Sequence, residues 1–181
     1  MKTSLQIFGA FALALTVFAS CSPNLTPFTE RLYQEYQWSE NELKQIQFYL
    51  SEDLVLRRQL SAGSTEILSG GKIRVEDGRQ VEEILIERGT PGVFMFSPKR
   101  EHFAISFEDD DYLMFGPNPR VGNKFVLLGK DWTRGMGTVT YGGREFRVKS
   151  EDAYAGLLVN LKKIRKTERR SRVAGGRRVG G

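Results

Sequence analysis

The chain has 181 residues, with 27 Lys+Arg against 22 Asp+Glu, one histidine and one cysteine. A single cysteine excludes an intramolecular disulfide framework, and one residue of each kind excludes a zinc site built from several Cys and His ligands. The formal charge of +5 is unevenly spread: Lys2 carries one, residues 162–181 carry a net +8, and residues 21–161 are left at −4.

Leu5 to Cys21 (LQIFGAFALALTVFASC) follows Lys2 and contains no charge. Its core, Ile7 to Phe18, has the length of a signal-peptide apolar region and falls short of the roughly 18–20 residues that span a bilayer. Ala19 and Ser20 then place two small side chains before Cys21, which suits the narrow subsites of a signal peptidase. This end resembles that of a bacterial lipoprotein precursor, whose lipobox is an apolar residue, two small residues and cysteine. The resemblance implies that Cys21 receives a diacylglyceryl group and becomes the acylated first residue of the mature protein. Ser22 is similar to residues that permit sorting to the outer membrane. A plain secretory signal and an uncleaved anchor are the alternatives. Lipidation explains the lone cysteine and the apolar run together, whereas a free thiol in an oxidising compartment is unusual.

Residues 1–20 are thus read as a lipoprotein signal peptide and 21–28 as a short tether. Residues 29–161 form a helix plus a β-rich domain, and 162–181 a basic flexible tail. Ser22 to Pro27 extends over about 20 Å at most, so the domain is expected close to the membrane. Thr29 to Tyr36 suits a short helix with Leu32, Tyr33 and Tyr36 on one side. Ser39 and Glu42 then form a capping box, flanked by Trp38 and Leu43 at the positions of a hydrophobic staple. Leu43, Ile46 and Leu50 continue at helical spacing, which predicts a helix over 40–50.

From residue 54 the pattern turns to strands. Leu54 to Gln59, Ser64 to Ser69, Lys72 to Glu76 and Val81 to Glu87 come first. Asp77-Gly78 lies between two apolar runs, a strong hairpin signal. Val93 to Ser97, His102 to Phe107, Tyr112 to Phe115 and Lys124 to Leu128 follow. Thr138 to Tyr141 and Arg144 to Val148 flank Gly142-Gly143, a second tight hairpin. Ala155 to Leu161 fits a strand or a helix equally. Short strands at this spacing, with Gly/Pro/Asn/Asp turns, predict a mainly β fold, a β-barrel or sandwich of antiparallel strands with an N-terminal α-helix.

Catalytic groups are sparse. A Ser-His-Asp arrangement would have to use His102, which opens an alternating strand. No nucleophile elbow, P-loop or dinucleotide fingerprint occurs, and no cofactor is expected. Glu108-Asp109-Asp110-Asp111 concentrates negative charge. It suits a solvated hairpin tip, or a calcium ion held through Asp109 and Asp111, although the spacing is not that of an EF-hand. Adjacent carboxylates do not span a glycosidase cleft. Trp132 and Arg134 in Asp131-Trp132-Thr133-Arg134-Gly135 can stack on and hydrogen-bond a sugar ring. The alternative is that Trp132 covers one end of the domain.

Lys162, Lys163, Arg165, Lys166, Arg169 and Arg170 begin the basic tail, which ends in glycine-rich VAGGRRVGG. An Arg/Gly segment is similar to nucleic-acid binders, but an exported chain rarely meets nucleic acid, so none is expected as a partner. An anionic lipid surface beside the acylated cysteine suits it better, as does an acidic envelope protein. These features predict a non-enzymatic, membrane-anchored envelope lipoprotein with a structural, assembly or interaction role. A glycan or cell-wall ligand-binding module is the second expectation, and a hydrolase using His102 or the acidic cluster the third.

Overall fold

A computed structural model describes residues 24–61, 71–76, 78–108 and 111–168. The signal stretch with Cys21, the expected strand over 64–69, Asp109, Arg169 and Arg170 lie outside the described residues.

The chain enters through strand β1 (Thr26–Pro27) and a two-turn helix α1 (Glu30–Tyr36). Thr29 caps α1, its Oγ1 accepting from the Leu32 N–H at 3.2 Å, and Gln37 ends it in the left-handed region. Leu32, Tyr33 and Tyr36 turn one side of α1 onto the core, as their spacing predicts. The capping box also forms: the Ser39 N–H donates to Glu42 Oε2 at 2.8 Å, and the Glu42 N–H to Ser39 Oγ at 3.4 Å. The helix it starts, α2 (Glu40–Leu43), is only one turn long. The expected helix over 40–50 is therefore corrected in its second half, which is strand β2 (Gln47–Leu50). Phe48 decides the matter. It lies off the helical stripe yet is fully buried, and with Leu50 it follows the strand period of two.

The remaining strands are β3 (Leu54–Gln59), β4 (Lys72–Glu76), β5 (Arg79–Ile86), β6 (Pro91–Lys99), β7 (His102–Glu108) and β8 (Asp111–Asn118). They continue as β9 (Lys124–Leu127), β10 (Lys130–Thr133), β11 (Met136–Tyr141), β12 (Arg144–Lys149) and β13 (Leu157–Val159), before a final helix α3 (Leu161–Glu168). The fold is mainly β, in two antiparallel sheets ordered β1-β13-β2-β6-β7-β8-β9 and β10-β11-β12-β3-β5-β4. Both predicted hairpins form. Gly78 follows Asp77 with φ of 75° between β4 and β5, and Gly142 and Gly143 have φ of 55° and 67° between β11 and β12. Gly116 to Asn118 stay within β8, and the chain turns at Pro119–Val121.

The two ends of the first sheet are joined by hydrogen bonds. From β9 the Phe125 N–H donates to the Phe28 carbonyl at 3.0 Å, and the Phe28 N–H donates to Leu157 of β13 at 2.8 Å. Bridges Thr29↔Lys124 and Val126↔Gly156 flank this crossing. Phe28 sits inside, fully buried, with its ring against Tyr33, Trp38, Phe48, Phe103 and Phe125. The tether read over 21–28 is thus corrected at its end: Thr26 to Phe28 belong to the domain. Leu56, Ile84, Phe146 and Val148 of the second sheet join Phe94, Phe103 and Phe125 of the first in one apolar core.

The second sheet also holds a buried ion pair. Glu82 is fully buried and accepts from Arg58 Nε at 2.9 Å, while the Arg58 guanidinium lies 5.7 Å from the Phe146 ring centroid. On the opposite face Glu83 binds Arg57 and Arg74, each at 2.9 Å. At the C-terminal end, Asp152–Tyr154 form a 3-10 turn before β13. Helix α3 then runs into the segment read as tail and docks through buried Ile164.

Candidate functional site

The site is organised by a short hairpin that the sequence pattern does not announce. Strand β10 reads Lys-Asp-Trp-Thr, is exposed throughout, and pairs with β11 through Lys130↔Thr138 and Thr133↔Met136. Its two-residue turn is Arg134-Gly135, with φ of 51° and 77°. Positive φ at both central positions is the twist-matched type I′ hairpin. Glycine adopts it freely, whereas Arg134 is held in a conformation that L-residues rarely take.

This hairpin lays Trp132 across two glycines. A Cβ on Gly137 would stand 2.8 Å from three atoms of the six-membered ring, and one on Gly129 would be 2.8 Å from its Cζ2. The indole N–H donates to the Gly129 carbonyl at 3.0 Å. Both glycines therefore form a seat that only a residue without a side chain can provide. One part of the ring covers exposed backbone, and the side chain is still 45% exposed. The ring of Trp132 closes over this glycine seat and keeps part of its surface open to solvent.

Trp132 lines a cleft of about 430 Å³ together with Tyr154, Arg120, Pro117, Leu128 and Ser150. Tyr154 comes from the 3-10 turn before β13, and Arg120 from the turn after β8, where Asn118 Oδ1 accepts the Arg120 N–H at 2.9 Å. A second cleft of about 680 Å³ lies on the other side of Leu128 and Gly129, which line both. Its aromatic surface is Phe96 and Tyr112, packed edge to face with centroids 5.0 Å apart and each roughly two-fifths exposed. His102, Asp111 and Lys130 supply its ionisable groups.

Burial, reinforced by the Lys99 charge, pushes the His102 imidazole below the ordinary histidine value. The Lys130 ammonium is pushed up by its hydrogen bond to Glu145 Oε1 at 2.8 Å, a pair in which both side chains are exposed. Beside the first cleft, burial and the neighbouring Glu151 push the Asp152 carboxyl up.

The structure separates residues that the sequence grouped. Trp132 belongs to the cleft, but Arg134 stands exposed at the hairpin tip and is not part of the cleft wall. Arg134 sits in the type I′ turn, and Arg120 from another loop lines the cleft. Asp111 opens β8 at the second cleft, and among the described residues no three metal-ligating side chains gather. The Ser97 hydroxyl lies on the carbonyls of Lys99 and His102, at 2.8 and 2.9 Å, which commits it to its own hairpin rather than to the imidazole. Lys162 and Lys163 are exposed on α3, which also contains Arg165 and Lys166. Arg120 and Tyr154 were not legible as site residues. The signal for the seat was Gly137, a glycine inside a strand pattern, which marks close approach of another group.

No protein-family model, no curated protein and no solved structure matches this chain. None of the described helices is long and apolar enough to cross a membrane.

Proposed function

We propose that this chain is a non-enzymatic lipoprotein of the bacterial envelope, anchored through acylated Cys21 and serving as a docking or assembly module at the outer membrane. The observation that carries the reading is the pairing of β1 with β13. Thr26 stands opposite Val159 in antiparallel register, so the segment leading back to Cys21 and the start of α3 leave the fold at one edge. Thr26 follows Cys21 by five positions, a reach of about 17 Å. An acyl anchor and Lys162 and Lys163 would then meet the same bilayer. Each cation near an anionic surface contributes about 1 kcal/mol, a supplement to an anchor of several acyl chains. An acidic envelope protein is the competing partner for this basic segment. The hydrogen bonds joining β9 to Phe28 support a barrel for the first sheet, with the second sheet stacked on the shared core.

The test is incorporation of a clickable fatty acid in the bacterial host. Wild-type protein is expected to carry label and to sediment with membranes, and Cys21→Ala to do neither. Equal label in both would remove the reading.

A second reading, that the domain binds a glycan, is favoured by one observation: the rigid, half-exposed Trp132 ring above its glycine seat. Aromatic faces of this kind take the apolar face of a sugar, and Arg120 at the rim supplies donors for its oxygens. Binding on a glycan array that survives Trp132→Ala would exclude this site.

A further inference from the structure

We propose that the two clefts act as one groove that binds an extended, carboxylate-bearing glycan chain rather than a single sugar, an inference that rests on the glycan reading of the Trp132 site. Leu128 and Gly129 line both clefts, so a ligand leaving the Trp132 surface over this ridge enters the second cleft directly. Each cleft alone has the volume of a small-molecule site, which is typically about 300–1,000 Å³. Together they exceed what one sugar fills.

Each cleft has aromatic residues in its wall. Trp132 and Tyr154 line the first cleft, at 45% and 42% exposure, and Phe96 and Tyr112 line the second, at 39% and 40%. Each wall also holds hydroxyl groups, Ser150 in the first cleft and Thr138 and Thr140 in the second. Walls that hold both aromatic faces and hydroxyl groups suit a chain that presents C–H faces and hydroxyls. It does not suit a purely apolar ligand, which would leave those hydroxyls without partners.

The charge of the ligand follows from the rim. Arg120 borders the first cleft and Lys130 the second, Asp111 is the carboxylate among the described residues lining them, and His102 is biased toward its neutral form. These cations sit on a body that carries a net −4 over residues 21–161 with both of them counted. A ligand bearing carboxylates is complementary to this rim, and a guanidinium engages such a group in bidentate fashion. Lys130 already holds Glu145 at an exposed site, so a ligand carboxylate would exchange with Glu145 there.

The experiment titrates the full mature chain with linear oligouronates of increasing length and with neutral oligoglucans of the same lengths. Trp132 fluorescence and calorimetry report binding, with Trp38 buried as an internal reference. The affinity for oligouronates is expected to rise at least about tenfold from a disaccharide to a chain that spans both clefts. Tyr112→Ala should abolish this gain and leave disaccharide binding unchanged. Arg120→Gln should weaken the uronates at least about tenfold more than the neutral glycans of the same length. Thermal denaturation of each variant shows that it is folded. Length-independent binding that still requires Trp132 would overturn this proposal and leave the glycan site standing. Absence of binding to every glycan would overturn both. Preferential binding of a proline-rich peptide or an oligonucleotide along the same residues would also overturn it.

Discussion

Trp132 rests on Gly137 so closely that a Cβ there would fall 2.8 Å from three atoms of its six-membered ring. The two residues lie across the β10–β11 hairpin from each other, between the pairs Lys130↔Thr138 and Thr133↔Met136. Gly137 has no positive φ, so alanine fits the backbone and the ring alone opposes it. Gly137→Ala is expected to destabilise the domain by about 1–3 kcal/mol, the usual cost of overpacking. In a Trp132→Ala background the same change should cost close to nothing. Urea denaturation of the two single variants and the double variant measures the coupling, and additive effects would refute the seat.

Phe28 tests where the domain begins. It is fully buried among Trp38, Phe48, Phe103 and Phe125, although it lies only seven residues after Cys21. Phe28→Ala should cost about 3–5 kcal/mol, as for other buried aromatic truncations. A change of a few tenths in the urea-derived stability would return this residue to the tether.

The Arg58–Glu82 pair should show the asymmetry of a buried salt bridge. Glu82→Leu takes the fully buried carboxylate from Arg58, whose side chain is 23% exposed, and is expected to cost about 1–3 kcal/mol. The combined change Arg58→Met with Glu82→Leu should recover most of that loss, because the apolar pair has no charge to desolvate. Chemical denaturation of the three variants decides between this and a pair that stabilises outright.

Two groups give stability opposite dependences on pH. His102 has a folded pKa below its ordinary value of about 6.5, through burial and then Lys99. Its contribution is therefore complete above about 6.5 and is lost as pH falls through the lower folded value. Asp152 has a raised pKa, through burial and then Glu151, so its contribution is present below about 3.9 and lost as pH rises through the folded value. Asp152→Asn should raise the melting temperature at pH 7, with the gain fading toward pH 4. His102→Gln should flatten the acid side of the profile below about 6.5. Melting curves across pH for the two variants check both signs.

Much of the fold could be read from local signals. The Asp77-Gly78 and Gly142-Gly143 turns fixed their hairpins because only a few residues accept positive φ. Ser39 and Glu42 marked a helix start, but nothing local marked its end. Leu43, Ile46 and Leu50 keep helical spacing, and strand pairing on both edges of Gln47–Leu50 overrides it. Strand β10 was missed because its four residues are all exposed and show no alternation. The site was half legible. Trp132 stood out by its type, but its partners Gly129, Arg120 and Tyr154 come from three separate turns and loops, and only tertiary packing assembles them.

The central claim concerns the sulfur of Cys21, and mass spectrometry of the mature protein purified from bacterial membranes tests it most directly. The account predicts a polypeptide whose first residue is Cys21, carrying a thioether-linked diacylglyceryl group and an acylated amine. A mature chain that begins elsewhere, or that keeps Cys21 as a free thiol, would contradict it.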